Sequence, residues 1–388
     1  MNHAADFDLI EVAHLRGAGA LKWSMFPDTI GAFVAEMDFG TAPVVTEALH
    51  AAVDAGVFGY LPSSLADALS EASAAWHRDV YGWNVSPDQV HPIADVVAGL
   101  QLAIEHYSRP GAPVILPTPA YMPFLTVPPA MGREVIQVPL LETEDGSRMD
   151  LDGIDAAYRA GGHLLILCNP YNPVGRVFTA EEMLAISEVV SRHDGRVFSD
   201  EIHSPLVYPG NRHVPYASLS EATAAHTVTA TSASKAWNLP GLKCAQLIIS
   251  NPPDAEIWER VGPMAIHGAG NLGVIANTVA FTSGRPWLDH VLGYLDTNRR
   301  VLGDLVAEHL PGVRYTPPQG TYIGWLDCRD LELGAPAADF FREQAGVALT
   351  DGAACGEAGV DFVRLVFATP RPILEEAVAS MGKALRNR

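Results

Sequence analysis

The stretch Ser232-Ala233-Ser234-Lys235-Ala236-Trp237-Asn238-Leu239-Pro240-Gly241-Leu242-Lys243 places a lysine among small hydroxyl residues and a tryptophan, directly after the apolar, β-branched run 226–231. That run reads as a buried strand. Lys235 therefore sits where a solvated charge is out of place. Burial disfavours the ammonium form, and a neutral amine can attack a carbonyl carbon and form a Schiff base. Two further groups stand at the ends of apolar runs. Residues 164–167 lead into Cys168-Asn169-Pro170-Tyr171-Asn172-Pro173-Val174-Gly175, and residues 196–199 lead into Asp200-Glu201-Ile202-His203. A carboxylate ending a buried strand needs a partner, because an unpaired buried charge is very costly. A protonated heteroaromatic nitrogen is such a partner. Taken singly, each group has a plain structural reading: a surface lysine, two Asn-Pro turns, a helix-capping or lysine-paired aspartate. In this order, each at a strand end, they form one constellation suited to amine–carbonyl chemistry.

The elements that must position them follow from periodicity. Short apolar runs at 114–116, 135–138, 164–167, 197–199, 228–231 and 245–249 alternate with helical or irregular segments. That alternation predicts an α/β fold with a largely parallel sheet covered on both faces. In such a sheet ligands bind beyond the carboxyl ends of the strands. Asp95 is placed to cap a helix beginning at Val96 and Val97, whose free N–H groups would make an anion site. Thr179-Ala180-Glu181-Glu182 is a capping box. Nearer the N-terminus, residues 33–39 read as strand-like, Pro43 opens a helix, and Tyr60 lies in a loop before a second helix ending at Trp76. Pro252-Pro253 reads as the close of the alternating run. Ser283-Gly284-Arg285-Pro286 reads as a domain break, followed by a long helix, strands at 320–326 and 362–367, and a closing helix. The expected division is a large domain, 45–283, and a smaller α+β domain made of 1–44 and 284–388.

With 388 residues the chain exceeds a usual single core, so two domains are expected. A formal charge of −20 argues against a nucleic-acid partner, because little basic surface is left to neutralise phosphates. No Lys/Arg run marks a membrane-binding patch. The four cysteines are widely spaced and lack Cys-x-x-Cys, which indicates neither a metal site nor a disulfide framework. No secretory signal and no apolar run of spanning length is seen, so a cytoplasmic protein is expected.

Ala35-Glu36-Met37-Asp38-Phe39, Thr118-Pro119-Ala120-Tyr121, the Asn169 to Gly175 stretch, Ser199-Asp200-Glu201-Ile202-His203, Ser232-Ala233-Ser234-Lys235, Gln319-Gly320-Thr321-Tyr322 and Val363-Arg364-Leu365 together resemble the fold-type I pyridoxal-phosphate enzymes of the class I/II aminotransferase family. Within it the chain is most similar to the MalY/PatB-type cystathionine β-lyases, across nearly its full length. The resemblance implies the aspartate aminotransferase-like fold, with a mostly parallel seven-stranded sheet in the large domain. It implies Lys235 as the lysine that carries the cofactor and later moves the proton, Asp200 on the pyridine nitrogen, Asn172 on the phenolic oxygen and Tyr121 stacked on the ring. Val96, Val97, Ser232, Ser234 and Lys243 would hold the phosphate. Tyr60 would reach the phosphate of a neighbouring subunit, which implies a homodimer. Arg364 would clamp the substrate carboxylate, and Tyr322 is a further candidate in the substrate pocket. Lys243 stands where many relatives carry arginine, and Ser204-Pro205 and Val366 depart from the usual pattern.

The same resemblance leaves two reactions in view. Loss of a thiolate from the substrate Cβ gives a C–S β-lyase acting on cystathionine or related S-substituted cysteines; reprotonation on the cofactor gives an aminotransferase. Many aminotransferases carry tyrosine three residues after the aspartate, so His203 favours the lyase, although a packed, hydrogen-bonded histidine explains it as well. A regulator built on the same fold, binding another protein without turnover, is the third reading.

Overall fold

A computed structural model describes residues 7–143 and 146–388. Seven strands form the main sheet in the order Val90–Ile93, Ala245–Ile249, Thr227–Thr231, Arg196–Asp200, Leu164–Cys168, Val114–Thr118, Val135–Pro139. The last five are parallel, and Ala245–Ile249 runs antiparallel to both its neighbours. The Val114–Thr118, Leu164–Cys168, Thr227–Thr231 and Ala245–Ile249 strands are buried at every residue. This is why they read as continuous apolar runs rather than as alternation. The edge strand Val90–Ile93 escapes that pattern because His91 and Pro92 interrupt its apolar residues. Proline removes a ladder donor and is tolerated at an edge.

Register brings the chemistry together. Cys168 pairs with Asp200, and Asp200 with Ala230. The loops bearing Asn172, Asp200 and Lys235 thus leave three adjacent strands at the same end.

A second, four-stranded antiparallel sheet has the order Arg314–Tyr315, Ile323–Asp327, Phe362–Val366, Thr350–Asp351. The helices Arg285–His309 and Arg371–Arg386 pack on each other beside it. Ile30–Gly31 pairs in parallel with Val347–Ala348, so the N-terminal segment joins this part of the molecule. The apolar core here also takes in Trp76, Trp237 and Phe281. Trp237 is fully buried, and its indole N–H donates to Gly284 O at 2.9 Å, which roots the Lys235 loop between the two sheets.

Two sequence expectations are corrected and one is borne out. Residues 33–39 form no strand, because their backbone groups bond mostly to side chains, with Asp38 N on Ala368 O and Glu36 N on Val34 O, and make no ladder with a neighbouring strand. Pro252-Pro253 does close the alternating run, since Ala245–Ile249 is the last strand of the main sheet, and it forms the first turn of the helix Pro252–Ala265, capped by Asn251. Proline is accommodated there, where the N–H has no intrahelical partner. Residues 320–322 precede the strand Ile323–Asp327, with Thr321 at φ 70°. Among the described residues no helix is long and apolar enough to cross a membrane.

Candidate active site

Lys235 lies on the wall of a cavity of about 200 Å³ that also carries Asp200, Asn172, Tyr121, Val97 and Lys243. The loop before the lysine is held from behind. Ala233 N donates to Asn277 Oδ1 at 3.0 Å, Ser234 N to Ser232 Oγ at 3.0 Å, and Ser232 Oγ to Cys244 O at 2.7 Å. Burial lowers the Lys235 amine to about 8, Arg364 pushes the same way, and Glu36 and Asp200 oppose. Its Nζ donates to the Ala35 carbonyl at 3.0 Å.

Asp200 accepts from Ile202 N at 3.0 Å, and burial pushes its carboxyl up to about 7. Its neighbour Glu201 turns away from the cavity, accepting from Ser199 Oγ, Tyr216 N and His213 Nε2. His203 is buried on the cavity wall with Nδ1 unpartnered, and burial drives its imidazole down to about 3, so it is neutral. It lacks the hydroxyl of a tyrosine, and its ring meets Tyr322 edge-on at 6.0 Å.

Arg364 is 2% exposed. Nη1 donates to Asn172 Oδ1 at 3.2 Å and Nη2 to Phe33 O at 2.9 Å, whereas Nε is buried without a partner. Burial lowers its pKa. At the opposite end, Asp95 caps the helix Val96–His106 by accepting from Ala98 N at 2.8 Å. The N–H groups of Val96 and Val97 in that first turn have no intrahelical acceptor. Lys243 Nζ bonds Asp95 Oδ2 at 2.8 Å beside them, and Ser234 completes this wall.

Not every expected residue converges. The Ser232 hydroxyl lies on the wall, but its proton goes to Cys244 O. Tyr322 is buried and donates to Ala35 O at 2.9 Å, set back from the cavity wall. Tyr60 is 92% exposed, meets His267 edge-on at 6.4 Å, and lies off the wall within this chain. Two contributors were missed: the Ala35 carbonyl, hidden because 33–39 reads as a strand, and Asn277. The latter's signal was an amide in the middle of the mostly apolar stretch 272–281 of the helix Asn271–Ser283.

The donor set is graded along the cavity. Free helix N–H groups, Ser234 and Lys243 suit a phosphate. A buried carboxyl without a cation in contact suits a protonated ring nitrogen, with Tyr121 as a flat aromatic wall and the lowered amine between the two ends. These residues fit pyridoxal phosphate.

Comparison with known proteins agrees. The chain is 39% identical to a cystathionine β-lyase of Corynebacterium glutamicum, covering 97% of this chain and 99% of that one. It is 30% identical to the cystathionine β-lyase PatB of Bacillus subtilis, covering 95% and 97%. The crystal structure of cystalysin from Treponema denticola, which contains pyridoxal 5′-phosphate, superposes with a TM-score of 0.90 at 28% identity, covering 96% and 97%. Residues 31–381 match the description aminotransferase class I and II, and the chain belongs to that family.

Proposed function

We propose that this chain is a pyridoxal-phosphate-dependent C–S β-lyase, which eliminates a thiol from cystathionine or a related S-substituted cysteine and leaves pyruvate and ammonia. The observation that carries the cofactor reading is the convergence of the lowered Lys235 amine, the buried Asp200 carboxyl and the Arg364/Asn172 pair around one cavity. The lyase reading is supported by the two full-length relatives that carry that activity in their names.

When bound, the cofactor supplies an electron sink for negative charge at the substrate Cα. The protein's own groups do the rest. Asp200 holds a proton on the ring nitrogen, and Asn172 donates its amide to the phenolic oxygen. Tyr121 packs on the ring face. Val96, Val97, Ser234 and Lys243 anchor the phosphate. Arg364 orients the substrate carboxylate with the N–H groups that Phe33 and Asn172 leave free, and such charge-assisted bonds are strong and directional. Lys235, with an amine tuned near neutrality, takes the Cα proton. Neutral His203 leaves the ring environment without a phenolic donor, which supports elimination over transamination.

The same proposal includes a large domain of 45–283, a small domain of 1–44 and 284–388, a cytoplasmic location and a homodimer. Exposed Tyr60, Phe58 and Met264 support the dimer, with Tyr60 directed to the neighbour's phosphate.

The test is incubation of cofactor-loaded protein with L-cystathionine and no keto acid. Sustained, equal release of pyruvate and thiol is expected. Turnover only after a keto acid and an amino donor are supplied would overturn the lyase reading in favour of transamination. Lys235→Ala should lose both turnover and the absorbance of lysine-bound cofactor, and a retained band would refute its assignment.

A further inference from the structure

Residues 33–40 run along the cavity as an irregular strap whose carbonyls reach into the site. Phe33 O accepts from Arg364 Nη2 and Thr350 Oγ1, each at 2.9 Å. Ala35 O accepts from Lys235 Nζ at 3.0 Å and Tyr322 Oη at 2.9 Å. Two clamps set the position of these carbonyls. Asn238, three residues past the lysine, accepts from Met37 N at 2.9 Å and donates to Met37 O at 2.9 Å and Gly40 O at 3.0 Å.

The second clamp is an ion pair outside the cavity. Lys22 Nζ bonds Asp38 Oδ2 at 2.7 Å, with side-chain exposures of 0% and 4%. Trp23 Nε1 takes the other carboxylate oxygen at 2.8 Å, and Nζ lies 3.4 Å from Glu36 O. The short helix Leu21–Ser24 carries both donors, and its backbone presses on residue 31, where a Cβ would stand 2.0 Å from Lys22 O. Only glycine permits that approach. A buried ion pair seldom adds stability over well-packed apolar residues. What this one supplies is direction: three hydrogen bonds from two donors on one short helix converge on the strap.

We infer that Lys22 and Asp38 are positioning residues, whose ion pair fixes the register of residues 33–40 so that the Ala35 carbonyl holds the Lys235 amine in line with the substrate Cα–H bond. This rests on the reading of Lys235 as the group that takes the Cα proton. In that step the Nζ lone pair accepts the proton and the C–H electron pair stays at Cα. An N–H bond to Ala35 O aims the lone pair. A carbonyl displaced by about 1 Å would let the amine rotate away, and misplacement on that scale costs roughly a hundredfold in rate.

Two variants test this. The combined change Lys22→Met and Asp38→Asn removes both charges while keeping an acceptor for Trp23. Asn238→Ala opens the other clamp and leaves the ion pair intact. In cofactor-free protein, amide hydrogen exchange across residues 33–40 should be faster in both variants than in wild type. In loaded enzyme, kcat for cystathionine should fall about tenfold to a hundredfold with KM nearly unchanged, and the isotope effect on kcat with Cα-deuterated substrate should rise.

Unchanged exchange at 33–40 would overturn the inference. So would a kcat that falls only in proportion to cofactor content with the wild-type isotope effect, since lost folding alone gives that result. If the double variant does not fold, Asp38→Asn alone, which breaks the ion pair but keeps an oxygen for Trp23, decides on the same two readouts, with Asn238→Ala as the check that strap position matters. A wild-type enzyme that eliminates nothing from cystathionine refutes the proposed function instead, and the exchange measurement still judges the clamp.

Discussion

Asp200→Asn in the cofactor-free protein offers a quantitative test of how the buried carboxyl proposed to meet the ring nitrogen is held. Burial raises this carboxyl from its ordinary 3.8 to about 7. A group whose folded pKa is raised favours folding below its unfolded value, and that contribution is lost as pH rises towards the folded value. At about 1.4 kcal/mol per pH unit, the interval amounts to ~4 kcal/mol lost between about pH 4 and pH 7. Asparagine keeps an oxygen for Ile202 N and carries no charge, so it escapes this loss.

The other groups that titrate nearby do not spoil the comparison. Lys235, lowered to about 8 in wild type, is largely protonated over that range, and losing the Asp200 charge lowers it further in the variant, which adds to the gap between the two proteins at its upper end. His203, lowered to about 3, acts in the opposite sense in both proteins and cancels in their difference. Urea unfolding of both cofactor-free proteins from pH 4 to pH 8 should therefore show the variant gaining on wild type by several kcal/mol, the gap growing up to about pH 7 and then levelling. Parallel curves would refute the claim that burial without a cationic partner sets this carboxyl's state. Adding cofactor should reverse the order, with wild type holding it more tightly.

Two further outcomes follow from the same geometry. Arg364→Lys keeps the charge but loses the fork, so kcat/KM for amino-acid substrates should fall about tenfold to a hundredfold, given roughly 1.5–3 kcal/mol for a hydrogen bond to a charged group; an unchanged value in steady-state assays would remove Arg364 from carboxylate binding. Lys243→Ala should weaken cofactor retention on dialysis about tenfold, by the loss of one such bond at the lower end of that range, with Lys243→Arg restoring it. Equal retention in all three proteins would show that the helix N–H groups hold the phosphate without it.

The strand cores of the main sheet were legible because parallel strands buried on both faces spell themselves as unbroken apolar runs. The three loops that meet at the cavity were legible for the same reason, since each follows such a run. Val90–Ile93 was not, because an edge strand with a proline gives neither an apolar run nor an alternation. The strap at 33–40 was noticed for its residues and misassigned in its conformation: its local composition resembles a strand, while its hydrogen bonds go to Asn238, Lys235 and Tyr322, far away in the chain. The ion pair of Lys22 with Asp38 carried no signal at all, since two opposite charges sixteen residues apart on an acidic protein look like ordinary surface.

The distances along the chain that meet at one carbonyl have a consequence for how the enzyme is made. Ala35 O joins residues 200 and 287 positions away, and Phe33 O joins one 331 positions away. During synthesis the seven strands of the main sheet are all available once residue 249 has emerged. Residues 33–40 must then wait for Tyr322 and Arg364, long after they themselves left the ribosome. Contacts of such separation form late. A nascent chain can therefore hold the loops of Asn172, Asp200 and Lys235 in place before the strap meets Tyr322 and Arg364, and the complete cavity arrives only with the final strands.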